Sequence, residues 1–156
     1  CDPKYADAFY AAGLARFRLG QYERAMENFE NGLRQHPEDG QLHAGRGTVL
    51  VQTNRLVEAE PVLRRPLELK GNPETRYNLA LILDRLNRQE EAVAEYREVL
   101  REVPGHWFAN VNLAALLLDQ GKFDEAAAVC RAALKNDPKN SAEYESLLHR
   151  AEQRRP

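Results

Sequence analysis

The chain has 156 residues, of which 43% are hydrophobic and 29% are charged, and its formal net charge at pH 7 is −2. This length suits one domain with a buried core, and the composition is that of a soluble globular protein. The charge balance offers no basic surface for nucleic acid, and no apolar run reaches the roughly 20 residues that a membrane-spanning helix needs. Two cysteines, Cys1 and Cys130, are too few for a disulfide framework or a zinc site.

Four segments of the chain repeat a common pattern at a spacing of 33 or 34 residues. The repeats that this spacing predicts span residues 6–39, 40–72, 73–106 and 107–140, followed by a capping helix at 141–155. Each column of the pattern holds either the same residue or residues with a shared property, such as small size. The columns include Ala25, Ala59, Ala92 and Ala126; Gly13, Gly47, Ala80 and Ala114; Gly20, Asn54, Asn87 and Gly121; and Pro37, Pro104 and Pro138.

Each repeat is predicted to be a pair of α-helices. In the third repeat, Leu79, Leu83 and Leu86 recur at helical spacing before Asn87 interrupts the pattern. The Gly or Asn column suits a helix end at which the backbone turns with positive φ, and the proline column ends the second helix. The small-residue columns predict a close approach of the two helices. Asn140 and Glu143 are expected to form a capping box for the last helix, as Asn72 is expected to cap the third repeat.

The second repeat departs from the pattern. Its second helix contains Pro61 and Pro66, and an interior proline at position 66 removes a backbone hydrogen bond and is expected to kink the helix. Two interpretations stay open. The repeat is either degenerate and held in place by its neighbours, or it forms a functional bend.

The period, the small columns and the aromatic positions together resemble the tetratricopeptide repeat family. The first repeat, "ADAFYAAGLARFRLGQYERAMENFENGLRQHPED", carries the family pattern from Phe9 through Gly13, Tyr22 and Phe29 to Pro37. The resemblance covers nearly the whole chain. It implies an all-α fold, an α-α superhelix (solenoid) of four helix-turn-helix units with a C-terminal capping helix.

The first four residues, "CDPK", match "NDPK" at 136–139, which ends the fourth repeat. In this register, residues 1–5 are predicted to be the tail of a preceding repeat. The alternative is that Cys1 is the lipidated N-terminus of a bacterial lipoprotein. The compartment therefore stays open between the cytoplasm and a lipid-anchored position in the periplasm.

No motif for catalysis, phosphate binding or metal binding is present, and the four histidines lack metal-ligand spacing. Cys130 falls in a column of bulky apolar residues and is predicted to be a buried, unreactive thiol. The chain is not expected to be an enzyme or to hold a cofactor or a metal.

In the family that the chain resembles, the first helix of each repeat lines a concave groove. The corresponding face here is rich in apolar side chains, which predicts that it binds a peptide or helix of a partner protein. Asn78 and Asn112 share a column and are expected to bond the backbone of an extended ligand. The predicted binding residues are Tyr10, Leu14, Phe17, Val51, Tyr77, Asn78, Leu81, Phe108, Asn112 and Leu118.

The resemblance to family members that clamp the carboxylates of a chaperone C-terminus is only partial. Glu74 stands where those members need lysine, and His149 and Gln153 stand where they need lysine and arginine. Asp84 would add repulsion for a carboxylate. A ligand with apolar anchors and a lysine or arginine is expected instead.

The predicted function is that of a non-catalytic protein–protein interaction scaffold. The alternatives are a targeting or substrate-recruiting domain of a larger enzyme, and a lipoprotein assembly factor if Cys1 is lipidated. A monomer is favoured, with end-to-end stacking of copies through the start of the first repeat as the alternative.

Overall fold

A computed structural model describes the backbone of residues 3–70 and 73–154 and the side chains of 5–64 and 73–154. Nine α-helices account for most of these residues, and short turns join them. No helix in these ranges is both long and apolar enough to cross a membrane. The helices are α1 (Pro3–Arg18), α2 (Tyr22–Gln35), α3 (Gly40–Gln52), α4 (Leu56–Lys70), α5 (Pro73–Arg85), α6 (Gln89–Glu102), α7 (Trp107–Asp119), α8 (Phe123–Asn136) and α9 (Ser141–Gln153), the last preceded by a 3₁₀ turn at Pro138–Asn140.

The chain divides into two compact units. The first unit is Cys1–Leu86 and the second is Asn87–Pro156, so the division falls between the two helices of the predicted third repeat. In the first unit, α1 packs against α2 and α3, and α3 packs against α4 and α5. In the second unit, α7 packs against α6 and α8, and α9 packs against α7 and α8. The first helices of successive predicted repeats are therefore neighbours within the first unit.

The turns between the helices of a pair confirm the prediction from the Gly/Asn column. Gly20 and Gly121 both have φ of 71°, and Asn54 and Asn87 have φ of 59° and 60°. After Gly20, the Gln21 N–H donates to the Arg16 carbonyl at 2.9 Å, which closes the helix end. These residues tolerate the left-handed region, so the chain reverses at each of them without strain.

The small-residue column confirms the predicted close approach of the helices. The fully buried Phe29 ring of α2 lies between Gly13 of α1 and Gly45 of α3. A Cβ atom added at Gly13 would lie 2.5 Å from Cε1 of Phe29, and one added at Gly45 would clash with the same atom. Gly47 faces Leu63 in the same way in the next pair. The glycines therefore make room for the largest side chains of the core.

The second repeat keeps its helix in spite of its prolines. Helix α4 runs from Leu56 to Lys70 and includes both Pro61 and Pro66, so Pro66 does not end the helix. One missing N–H removes a single backbone bond, which the rest of a packed helix can tolerate. The side chain of Pro66 and the cap predicted at Asn72 lie outside the described residues.

Of the residues that are predicted to end a preceding repeat, 3–5 belong to helix α1. Helix α1 begins at Pro3, three residues before the predicted start of the first repeat. Cys1, for which lipidation is the alternative prediction, lies outside the described residues.

The predicted capping box at α9 is wrong. The Asn140 side chain makes no cap bond and instead donates from Nδ2 to Oδ2 of Asp137 at 2.7 Å. The buried Tyr144 hydroxyl donates to the same oxygen at 2.9 Å. Burial, together with the bond to Asp137, raises the pKa of Tyr144. The Asp137 carboxylate thus accepts hydrogen bonds from two side chains. The Asn140 side chain bonds to this carboxylate rather than to the N-terminus of α9.

Replacing Gly13 with alanine tests the close contact with Phe29. Overpacking costs about 1–3 kcal/mol, and the higher helix propensity of alanine returns up to about 1 kcal/mol. We expect Gly13→Ala to lower the free energy of unfolding by about 1 kcal/mol in urea titrations followed by circular dichroism. The ring cannot move away because Gly45 adjoins its other side.

The matched control is Gly121→Asn, since asparagine already occupies the same column at 54 and 87. This change is expected to alter stability by less than about 0.5 kcal/mol. An unchanged or higher stability of Gly13→Ala would contradict the packing argument.

Candidate functional site

The predicted binding residues of α1 are anchored in the core of the first unit. Tyr10, Leu14 and Phe17 are half-buried and pack against the cluster that contains Phe29. The rings of Tyr10 and Phe29 have their centroids 6.1 Å apart, and those of Phe17 and Tyr22 5.5 Å apart. Each of these side chains therefore has one part fixed by packing and another part open to solvent.

Asn78 has a partner that the sequence did not suggest. Its Nδ2 donates to Oγ1 of Thr48 at 3.1 Å, and the Thr48 hydroxyl in turn donates to the Ala44 carbonyl at 3.0 Å. This chain of bonds joins α5 to α3. One feature of the sequence is consistent with this hydrogen bond. Thr48 lies on the predicted binding face of the second repeat, thirty residues before Asn78.

Tyr77 and Leu81 flank Asn78 on α5 and are half-buried. Seven of the partly open side chains on α1, α3 and α5 make up the surface that we call the first-helix face. It consists of Tyr10, Leu14, Phe17, Thr48, Tyr77, Asn78 and Leu81.

Two predicted binding residues are not on the surface. Val51 is 8% exposed and Leu118 is 2% exposed, so both belong to the core, unlike the other predicted binding residues. They occupy the same column of the repeat, in the last turn of α3 and α7. Helical spacing shows which residues share a face, but it does not show whether a neighbouring element covers that face.

In the second unit, α7 carries the remaining predicted residues. Phe108 is 55% exposed, and its ring lies edge-on to Trp107 with centroids 4.6 Å apart. Asn112 Nδ2 donates to the Tyr96 hydroxyl at 3.4 Å, a long bond to the fully buried tyrosine of α6. Asn112 is thus connected to the core of its unit, while Phe108 projects into solvent.

The charges near the first-helix face are mixed. Asp7 and Arg18 are exposed on α1, and Glu74 and Arg85 are exposed on α5. The lysine that a carboxylate clamp would require is absent, because Glu74 takes its column. In the capping helix, His149 Nε2 and Gln153 Nε2 are 2.7 Å apart and are bonded to each other.

The described residues offer no group of three or more side chains that could hold a metal ion. His106 has a structural role that the sequence did not reveal: it is the N-cap of α7, and its Nδ1 accepts a hydrogen bond from the Ala109 N–H at 3.2 Å.

A cavity of about 310 Å³ lies on the first unit and is lined by Glu30, Leu33, Arg34 and Arg46. Nε of Arg46 lies 4.0 Å from Oε1 of Glu30 there, so the positive charge is partly compensated within the chain.

Comparison with known proteins agrees with the pattern of the sequence. The profile of the family described as "Tetratricopeptide repeat" matches residues 10–74, 61–106 and 77–141. A TPR repeat-containing protein of Synechococcus elongatus is 33% identical over 141 residues, which cover 81% of this chain and 34% of that protein. The chain therefore spans about a third of the length of that relative.

Solved structures share the fold. A crystal structure of a tetratricopeptide repeat protein from Parabacteroides merdae aligns with a TM-score of 0.83 and 19% identity, covering 97% of this chain and 60% of that one. The first TPR domain of Spaghetti (RPAP3), bound to the HSP90 peptide SRMEEVD, aligns with a TM-score of 0.74 and 20% identity, covering 78% and 99%. The fold prediction, an all-α solenoid of helix-turn-helix units, is confirmed.

The environment of Cys130 predicts low reactivity. The thiol is buried, and burial raises its pKa to about 11. At neutral pH the folded chain therefore holds less thiolate than the unfolded chain, and reaction should increase as the pH approaches the raised value. In a Cys1→Ser variant, we expect Ellman's reagent to label Cys130 at least about a hundredfold more slowly in buffer than in urea. Equal rates would show that the thiol is accessible.

Proposed function

Because the chain belongs to the tetratricopeptide repeat family, we propose that it is a non-catalytic scaffold that binds a peptide or helix of a partner protein. The observation that carries this proposal is the row of Tyr10, Leu14 and Phe17 on α1. Their inner parts pack on the core and their outer parts remain open. A partner that covers them buries apolar surface without first ordering mobile side chains, which favours affinity.

Asn78 supplies the polar element of the proposed site. The bond from its Nδ2 to Thr48 fixes the orientation of the amide group. An asparagine amide carries two N–H donors and a carbonyl oxygen, so one internal bond does not use up its capacity. We propose that this amide pairs with the backbone of an extended ligand, while Tyr77 and Leu81 beside it contact apolar side chains.

The second unit contributes Phe108 and Asn112 to the proposal. An exposed aromatic ring is a common anchor in protein–protein contacts, and Phe108 is more than half exposed. Asn112, which shares the column of Asn78, is proposed to bond the backbone of a ligand that lies on the second unit.

The preferred ligand is proposed to carry apolar anchors and a lysine or arginine rather than a pair of carboxylates. The exposed Glu74 occupies the column where a carboxylate-binding lysine would be needed. A peptide such as SRMEEVD, with which the Spaghetti domain was solved, would place its acidic side chains near that carboxylate. Repulsion between the acidic side chains of the peptide and the Glu74 carboxylate disfavours binding.

Selection from a displayed peptide library tests the proposed surface. Peptides selected on the parent chain should be rich in large apolar residues and in lysine or arginine. Leu14→Gln and Leu81→Gln should each weaken their binding about tenfold or more, because each variant loses an apolar contact at the proposed centre. Isothermal titration calorimetry measures the effect.

The matched control for the library test is Val57→Gln. Val57 is 76% exposed on α4 and lies outside the first-helix face. Its substitution should leave affinity unchanged, and circular dichroism checks that all three variants are folded. If the control weakens binding as much as the two variants do, the first-helix face is not the site.

Titration with a fluorescent SRMEEVD peptide tests the proposed charge preference. The parent chain should show no saturable change in anisotropy, while Glu74→Lys should gain measurable affinity because the repulsion is replaced by attraction. Saturable binding of the parent chain, abolished by Asn78→Ala, would instead indicate a carboxylate clamp.

A further inference from the structure

Helix α3 carries an arginine at a position where the other first helices carry an apolar residue. Arg46 shares its column of the repeat with Ala12, Leu79 and Leu113. The two leucines are each 1% exposed and belong to the core, while Arg46 is half-buried. The second repeat therefore places a positive charge at a position that is part of the core in the third and fourth repeats.

Arg46 lines a cavity at the contact between α2 and α3. The other lining residues are Glu30, Leu33 and Arg34, all of α2. The volume of about 310 Å³ is at the lower end of the range for ligand pockets, so it suits a side chain or a small molecule. None of the four lining residues belongs to the first-helix face, so the cavity is a separate site.

The guanidinium group of Arg46 is incompletely paired. Its Nε is buried and has no hydrogen-bond acceptor within the described part of the chain. Oε1 of Glu30 lies 4.0 Å from this Nε, which is too far for a hydrogen bond. A buried N–H of a charged group is costly to leave without an acceptor. An acceptor that enters the cavity would therefore be stabilised by Arg46.

The charges of the lining leave an excess of one positive charge, because two arginines stand against one glutamate. Glu58 of α4 interacts electrostatically with Arg46, but its two oxygens already accept hydrogen bonds from Arg55, at 2.8 Å and 2.7 Å. Arg34 donates to Oδ1 of Asn31, a neutral group, which uses one of its several N–H donors. The cavity thus offers guanidinium donors to an anion.

We infer that this cavity binds a single carboxylate carried on a short aliphatic arm. The planar guanidinium groups of Arg34 and Arg46 match the two oxygens of a carboxylate. The excess of one positive charge suits a monoanion better than a doubly charged phosphate, and Leu33 offers an apolar contact for the methylene groups of the arm. A glutamate side chain of a partner protein has this chemistry, and so has a small free carboxylic acid.

Glu30 is the internal competitor of such a ligand. Its carboxylate is the one that the cavity already contains, and its side chain is 52% exposed, so it can turn towards solvent. Repulsion between Glu30 and a bound carboxylate weakens binding, and removal of the Glu30 charge should tighten it. If Arg46 served only as the ion-pair partner of Glu30, neither residue would affect a ligand.

Heteronuclear NMR tests the site with two ligands that differ in charge, N-acetyl-glutamate α-amide and N-acetyl-glutamine α-amide. In the parent chain, the glutamate compound should shift the Arg46 Nε–H and the backbone amides of Leu33 and Arg34 saturably. We expect a dissociation constant of about 1–20 mM, which is weaker than the range that micromolar titrations with the SRMEEVD peptide detect. The glutamine compound should cause no saturable shift.

Arg46→Leu should weaken binding of the glutamate compound at least about tenfold, read from the backbone amides. It should stay folded, because leucine occupies this column in α5 and α7. The matched control is Arg24→Leu, at an exposed position of α2 outside the cavity, which should bind as the parent does. Glu30→Gln should bind about threefold more tightly. Leu81→Gln changes the first-helix face and should leave this titration unaltered, so the two proposals can fail separately.

Titration with butyrate distinguishes the two sources of the carboxylate. Tighter binding of the glutamate compound indicates a side chain of a partner protein, and equal or tighter binding of butyrate indicates a free acid. Equal shifts with the glutamate and glutamine compounds, or no saturable shift with either, would overturn the inference. So would Arg46→Leu binding as tightly as Arg24→Leu, or Glu30→Gln binding no more tightly than the parent. Circular dichroism checks that each variant is folded.

Discussion

The contact of the Phe29 ring with Gly13 on one side and Gly45 on the other sets the geometry of the first unit. The ring belongs to α2, but the two glycines belong to α1 and α3, so one side chain fixes the distance between three helices. Interiors are packed too densely for a ring of this size to be accommodated unless a neighbouring position lacks a side chain. The proposed binding surface depends on this arrangement, because Tyr10 packs against Phe29 on one side and faces solvent on the other.

Features that depend on local chain geometry could be predicted from the sequence. The positive φ values at Gly20, Asn54, Asn87 and Gly121 follow from which residues tolerate the left-handed region. The ends of α2, α6 and α8 follow from the prolines two residues further on. The repeat period carried these signals because all four pairs of helices need the same turn and three of them share the same proline after the second helix.

Features that depend on tertiary packing could not be predicted in this way. The buried position of Val51 and Leu118 depends on what covers the last turn of each helix, and one sequence does not encode that in its spacing. The polar contacts were also missed. Asn140 could in principle cap α9, but the Asp137 carboxylate, which also accepts the Tyr144 hydroxyl, is the acceptor it uses. Whether Asn78 meets a ligand or Thr48 depends on a neighbour thirty residues away.

The packing pattern of the first unit has a consequence for how it folds and fluctuates. Each helix there contacts helices one or two places away in the chain, so sequence separations between contacting residues are small. Low contact order favours fast folding, because little loop entropy is lost before contacts form. In repeat architectures, contacts restricted to neighbours also allow segments to open separately, so protection against hydrogen exchange varies along the chain.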